Sequence, residues 1–201
     1  MVFKTLLRAL HSPREVCAEL GRNDDFPPVI ELFRYPLLLV LLPPFFAFIG
    51  ATFFGWRLGA AEPLYFDLTS RIVISFAYFL AISFGFVSSV VISTWMASTY
   101  GASTSLSAHI SLLTVVCAPL SLASVIHLYP HVFINVLVLI PAISWSMALL
   151  YRTLPLVLDI PPERGMLMAS SIVAWLLVGA VSLLGLTAIL WSYGIGTNVR
   201  I

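Results

Sequence analysis

Charge is what this sequence has least of. Ten Lys or Arg and nine Asp or Glu are spread over 201 residues, so 9% of the chain is charged and 60% is hydrophobic. A water-soluble domain is usually about 25% charged and about 45–50% apolar, and nineteen charges cannot cover a soluble fold of this length. With a mean hydropathy of +1.03, the shortage excludes an ordinary soluble domain and selects a membrane bundle. A formal net charge of +1 provides no clustered basic face, so nucleic acid is not expected as a partner. Cysteine is scarcer still. Cys17 stands in a polar amphipathic tail and Cys117 in an apolar run. Their spacing suits no metal, and they read as small apolar residues, not as a disulfide.

The catalytic inventory is equally thin. No His-Glu-x-x-His and no Gly-x-Ser-x-Gly occurs, and no Asp, Glu, Lys or Arg falls centrally in any long apolar run. Ion-coupled pumps keep ionisable groups there, and intramembrane hydrolases need an activated nucleophile, a carboxylate pair or a metal. The sequence therefore predicts no catalytic residue, no metal and no cofactor. His109 is read as a hydrogen-bonded polar residue near one end of its span. His127 and His131 are four apart, but Pro130 lies between them and no third ligand is near. Nor is the N-terminus a signal peptide, since Lys4 and Arg8 interrupt its apolar stretch. Cys17 follows Arg14-Glu15-Val16, which is no lipoprotein processing site.

What the chain does have is long apolar runs. Five spans are expected, at about 35–56, 72–100, 108–128, 132–151 and 166–191, each near or above the roughly 20 residues that cross a bilayer. Tyr35, Trp56, Trp191 and Tyr193 sit where interfacial aromatics belong. Before the spans, residues 1–31 form a separate amphipathic segment. Val2, Phe3, Leu6, Leu7 and Leu10 recur at helical spacing opposite Lys4, Arg8 and His11, a pattern that lies in a membrane interface. Ser12-Pro13-Arg14-Glu15 reads as a capping box opening a second short helix to about Leu20. The expected fold is thus all-α: a polytopic five-helix membrane domain over 32–201 after that segment. Lys4, Arg8, Arg14, Arg22, Arg34, Arg152 and Arg164 fall on one side of this topology, and Arg57, Arg71 and Arg200 on the other. Such an imbalance places the N-terminus in the cytoplasm and the C-terminus outside.

Within the spans one pattern is regular. Ala77, Ala81, Gly85, Ser89, Ser93 and Ala97 recur every four residues. Small residues let helices approach closely in lipid, so the stripe reads as a packing or oligomer seam. A four-residue period drifts about 40° per step on a helix of 3.6 residues per turn, so the stripe must wind, either across one neighbour at a right-handed angle or from one neighbour to another. Gly85→Leu is expected to disrupt a close helix contact. Prolines at 43, 44, 119 and 141 predict kinks in spans one, three and four. In the last connection the apolar stretch Leu154 to Leu158 is expected along the interface, with Pro161-Pro162 opening the final helix.

The segment Tyr151 to Gly165, YRTLPLVLDIPPERG, resembles the connection between the last two spans of the Yip family (Ypt/Rab-interacting protein homologues). The matching positions are Tyr151, Pro155, Pro161, Pro162 and Glu163. Ala47-Phe48-Ile49-Gly50 in span one and Ala118-Pro119 in span three are similar too. Leu128-Tyr129-Pro130 and the closing Ile189 to Gly194 resemble the bacterial inner-membrane branch. The likeness covers roughly Phe33 to Gly196 and implies a five-span bundle with a cytoplasmic N-terminus in a bacterial inner membrane. Eukaryotic members are linked to small GTPases, but their acidic N-terminal motif is absent here, so a small-GTPase partner is not carried over.

Together these readings point to a non-enzymatic membrane protein that organises partners or local bilayer structure. Its partners would be the lipid bilayer and either other copies of itself or other membrane proteins. The alternative is a facilitative transporter or channel for a neutral or lipid-like solute, with the proline-containing spans lining a path.

Overall fold

The computed structural model describes residues 29–57, 59 and 62–192, together with Ser12 and Glu15. The expected interfacial helix over residues 1–11, Pro13 and Arg14 of the capping box, residues 16–20 of the second short helix and the end of the chain from Tyr193 lie outside the described residues. Five α-helices follow in order: α1 Val29–Phe53, α2 Leu68–Tyr100, α3 Leu106–Ala123, α4 Val132–Val157 and α5 Pro162–Ser192. A 3-10 turn, Ser124–Leu128, continues α3. Every helix contains a stretch long and apolar enough to cross a membrane. The fold is therefore the all-α polytopic bundle that the composition requires. At 33 and 31 residues, α2 and α5 are roughly 50 and 46 Å long. That exceeds the ~30 Å hydrocarbon layer, so both tilt or project beyond it.

Local chemistry sets the boundaries. The Asp67 side chain accepts from the Ser70 N–H at 3.4 Å and caps the start of α2; the Ser70 side chain foremost, with the backbone N–H groups of the first turn, holds the Asp67 carboxyl below its ordinary value. Gly101 ends α2 in the left-handed conformation at φ 70°, a position where glycine carries no Cβ penalty. Pro36, Pro43 and Pro44 in α1, Pro119 in α3, and Pro141 and Pro155 in α4 all lie within continuous helix.

One expectation is corrected. The stretch Leu154 to Leu158 is not laid along an interface. α4 runs on to Val157, and Leu154 and Leu158 are fully buried. Pro155 is absorbed in the final turns; Leu154 and Leu158 turn into the core, while Leu156 between them is exposed.

The helices alternate in direction, so the bundle has two ends. The near end holds the start of α1, the α2–α3 turn and the α4–α5 hairpin. The far end holds the α1–α2 and α3–α4 connections. α3 is central, packed against α1, α2 and α4, while α5 lies across α2 and α4. One apolar cluster joins Leu112 and Val116 of α3, Leu149, Leu150 and Leu154 of α4, and Met168, Ala169 and Ile172 of α5. A second joins Val40 of α1, Phe86 and Val90 of α2, and Ile110 and Leu113 of α3. The larger cluster thus lies toward the near end. In the far half, α5 from Ala174 to Ile189 is exposed at every position except the half-buried Gly179.

Candidate functional site

The small-residue stripe of α2 divides along its length. Ser89, Ser93 and Ala97 are buried, whereas Ala81 and Gly85 are half-buried and Ala77 is exposed. The cause is the drift built into the spacing: about 40° per step turns the stripe through roughly 200° over five steps. Its near half faces the core and its far half leaves it. A Cβ built on Gly85 meets no atom within 4 Å, so the expected close contact at Gly85 does not exist inside one chain.

Where the stripe is buried it carries a polar link. Ser93 Oγ lies 2.7 Å from His109 Nδ1, and His109 Nε2 lies 2.9 Å from the Ser103 carbonyl oxygen. A carbonyl only accepts, so Nε2 bears the proton and Nδ1 accepts from the Ser93 hydroxyl. The separation is that of a nucleophile and its base. Yet both side chains are 0% exposed and the third member is a backbone carbonyl, so no substrate can reach the hydroxyl. The link ties α2 to α3, as the reading of His109 as a hydrogen-bonded residue anticipates.

A second polar chain crosses the far half. Asn135 of α4 donates through Nδ2 to the carbonyls of Tyr129 and His131, at 3.0 and 2.9 Å. Its Oδ1 therefore faces His127 Nδ1, which donates to it. His127 Nε2 is left to accept from the Tyr78 hydroxyl at 3.3 Å. One imidazole thus joins α2, the 3-10 turn and α4. His127 and His131 do not converge on a metal, and no cluster of three metal-ligating side chains exists among the described residues. Sequence reasoning passed over Asn135. The usable signal was an amide side chain just inside an apolar span, where an unpaired amide is costly.

The motif positions fall on α1, on α3 and on the α4–α5 hairpin. Gly50 in α1 packs on the 3-10 turn so closely that a Cβ would collide with the carbonyl oxygens of His127 and Leu128. Pro119 is buried in α3. The remaining positions build the α4–α5 hairpin. Asp159 adopts φ 54°, Pro162 opens α5 and Glu163 lies in its first turn, where a carboxylate suits the helix dipole. Gly165 then sits against Pro155, and a Cβ there would come within 2.7 Å of the proline ring. Tyr151 of α4 reaches Ser170 of α5 at 3.0 Å. Ser103 N–H donates to the Leu158 carbonyl at 3.0 Å, joining the hairpin to the α2–α3 turn.

This conjunction, a five-helix apolar bundle with the proline hairpin and the Gly50 contact, agrees with comparison to known proteins. The Yip1 domain model matches residues 7–195. The chain belongs to the Yip family. It is also 32% identical over 161 residues to the inner membrane protein YohC of Escherichia coli K12, covering 80% of this chain and 83% of that one. The same protein from Escherichia coli O6:H1 gives equal figures. No solved structure matches the chain. Among the described residues of this Yip-family bundle the geometry gives no positive indication for or against catalysis.

Proposed function

We propose that this Yip-family protein resides in a bacterial inner membrane with its N-terminus cytoplasmic, and that it acts there by holding other membrane helices. The observation that carries the reading is the far half of the bundle. From Ala174 to Ile189, α5 is exposed on nearly all sides, and Gly179 and Gly185 have no neighbouring atom within 4 Å of a built Cβ. On α2, Ala77, Ala81 and Gly85 leave the core. Small residues on an unpaired apolar helix admit a second backbone closely, and such packing drives helix association in lipid. Location follows the relatives, which are inner membrane proteins, and orientation follows the distribution of Lys and Arg.

The transport alternative gains nothing from the packing. α3, the helix that would line a path, is buried without interruption from His109 to Val116. Crosslinking in intact cells, followed by affinity purification and mass spectrometry, tests the organising role, with Gly85→Leu for comparison. Because Gly85 faces open space inside the chain, the substitution leaves the monomer folded and reports on association alone. Loss of a specific membrane partner or self-crosslink in the variant is the expected result. A monomer without enriched partners, together with solute flux into proteoliposomes, would reverse the assignment.

A further inference from the structure

At the far end, two connections are laced together. Arg57 N–H donates to the Pro130 carbonyl at 3.0 Å, and Val132 N–H donates to the Arg57 carbonyl at 3.3 Å. This fixes Arg57 beside His131. The guanidinium lies over the Tyr129 ring, 5.9 Å from its centre. The His131 ring stacks parallel to Tyr129, with centroids 6.1 Å apart. Tyr129 is thus a plate with a cation and an imidazole against it.

A second arginine lies at the same end of the bundle, in the first turn of α2. Arg71 and Tyr78 are seven residues apart on α2, two turns, and share one face. Tyr78 reaches His127 at 3.3 Å, so that face is turned to the 3-10 turn. Arg71 lies on it roughly 10 Å further toward the far end, the direction in which the chain runs from His127 to His131. The Asp67 carboxylate, one turn before Arg71, is engaged as the cap of α2.

Among the described residues neither arginine makes a side-chain hydrogen bond or ion pair. In each the Nε is buried without a partner, as is His131 Nδ1. The terminal guanidinium nitrogens are not buried in this way. An unpaired, partly buried guanidinium favours an oxyanion that offers two oxygens to its planar fork, as phosphate does. Trp56 is 40% exposed and Tyr65 56% exposed in the same connection, and amphipathic aromatics of this kind sit at headgroup level.

We propose that Arg57 and Arg71, with His131 beside them, form a binding site for a phosphate group at the far end of the bundle. The phosphate is that of an anionic phospholipid in the adjoining leaflet, or free phosphate bound from the water. The site is separate from the helix surfaces assigned above to partner association.

Titration of the detergent-purified full chain with short-chain phosphatidylglycerol, followed by native mass spectrometry, tests this site. Saturable binding is expected, weakened about fivefold by Arg57→Gln and again by Arg71→Gln. Arg34→Gln, an exposed arginine at the near end, is expected to change nothing. Inorganic phosphate identifies the source. If it fails to displace the lipid, the lipid headgroup is the ligand; if it competes with the same dependence on both arginines, the site takes free phosphate. Arg71 makes no side-chain hydrogen bond whose loss would unfold α2, so that variant reports binding even if Arg57→Gln fails to fold. Affinity unchanged in Arg71→Gln, or lowered equally by Arg34→Gln, would overturn the assignment.

Discussion

Gly50 shows how much a single hydrogen atom decides. Two backbone carbonyls of the 3-10 turn occupy the space a Cβ would need, and backbone cannot swing aside as a side chain can. Gly50→Ala is expected to destabilise the folded protein by about 1–3 kcal/mol, as overpacking does, measurable as a lowered melting temperature in detergent. The Ser93–His109 link behaves oppositely, since its loss leaves an acceptor stranded in the core. Ser93→Ala should cost about 1–3 kcal/mol in the same assay, and in a His109→Leu background the same change should cost far less. Ser111 supplies the reverse sign. Its hydroxyl is buried without a partner, so Ser111→Ala is expected to be neutral or stabilising by up to about 1 kcal/mol. At this scale the sequence was partly legible. It marked Gly50 by family likeness and His109 as a bonded polar group. It gave Ser93 only a packing role, because hydrogen-bond partners sixteen residues apart are set by how two helices meet. Asn135 was missed because two of its partners, His127 and Tyr129, lie beyond a proline turn whose path no local pattern fixes.

Helices were far easier to read than their surroundings. All five spans follow from uninterrupted apolar length, and the start of α5 at Pro162 from proline chemistry. The end of α4 was misjudged because Leu154 to Leu158 is apolar whether it lies on an interface or in a core, and the choice falls to α5. Three polar ties fasten α5: Tyr100 to Ser171 at 3.2 Å, Tyr151 to Ser170 at 3.0 Å, and Trp175 to Ser88 at 3.2 Å. Beyond Trp175 the helix stands clear. Tyr100→Phe and Tyr151→Phe together should loosen α5 by about 1 kcal/mol, since such bonds average about 0.6 each in membrane bundles. Faster hydrogen exchange over residues 165–175 is the readout. Gly165→Ala, forced against Pro155, should act on the same helix more strongly. The α2 stripe belongs to this scale too: its period was plain in the sequence and required it to wind, but which residues would leave the core depended on where α3 and α5 cross it.

Across the whole molecule the two halves differ in kind. The near half is closed by a shared core of α2, α3, α4 and α5. The far half spreads, leaving α5, and the outer faces of the start of α2 and α4, without helical cover from the same chain. A bundle built only to be stable in lipid would gain from closing that half, because packing is what membrane helices exchange for lipid contact. On the proposed function, the open half is where a partner helix fits. A photoreactive residue placed singly at Ala81, Gly85, Val181 and Gly185 in living cells tests this most directly, with Met168 in the closed core as the reference. The account predicts discrete protein adducts at the four far-half positions and none at Met168. Adducts to lipid alone at all four would contradict it.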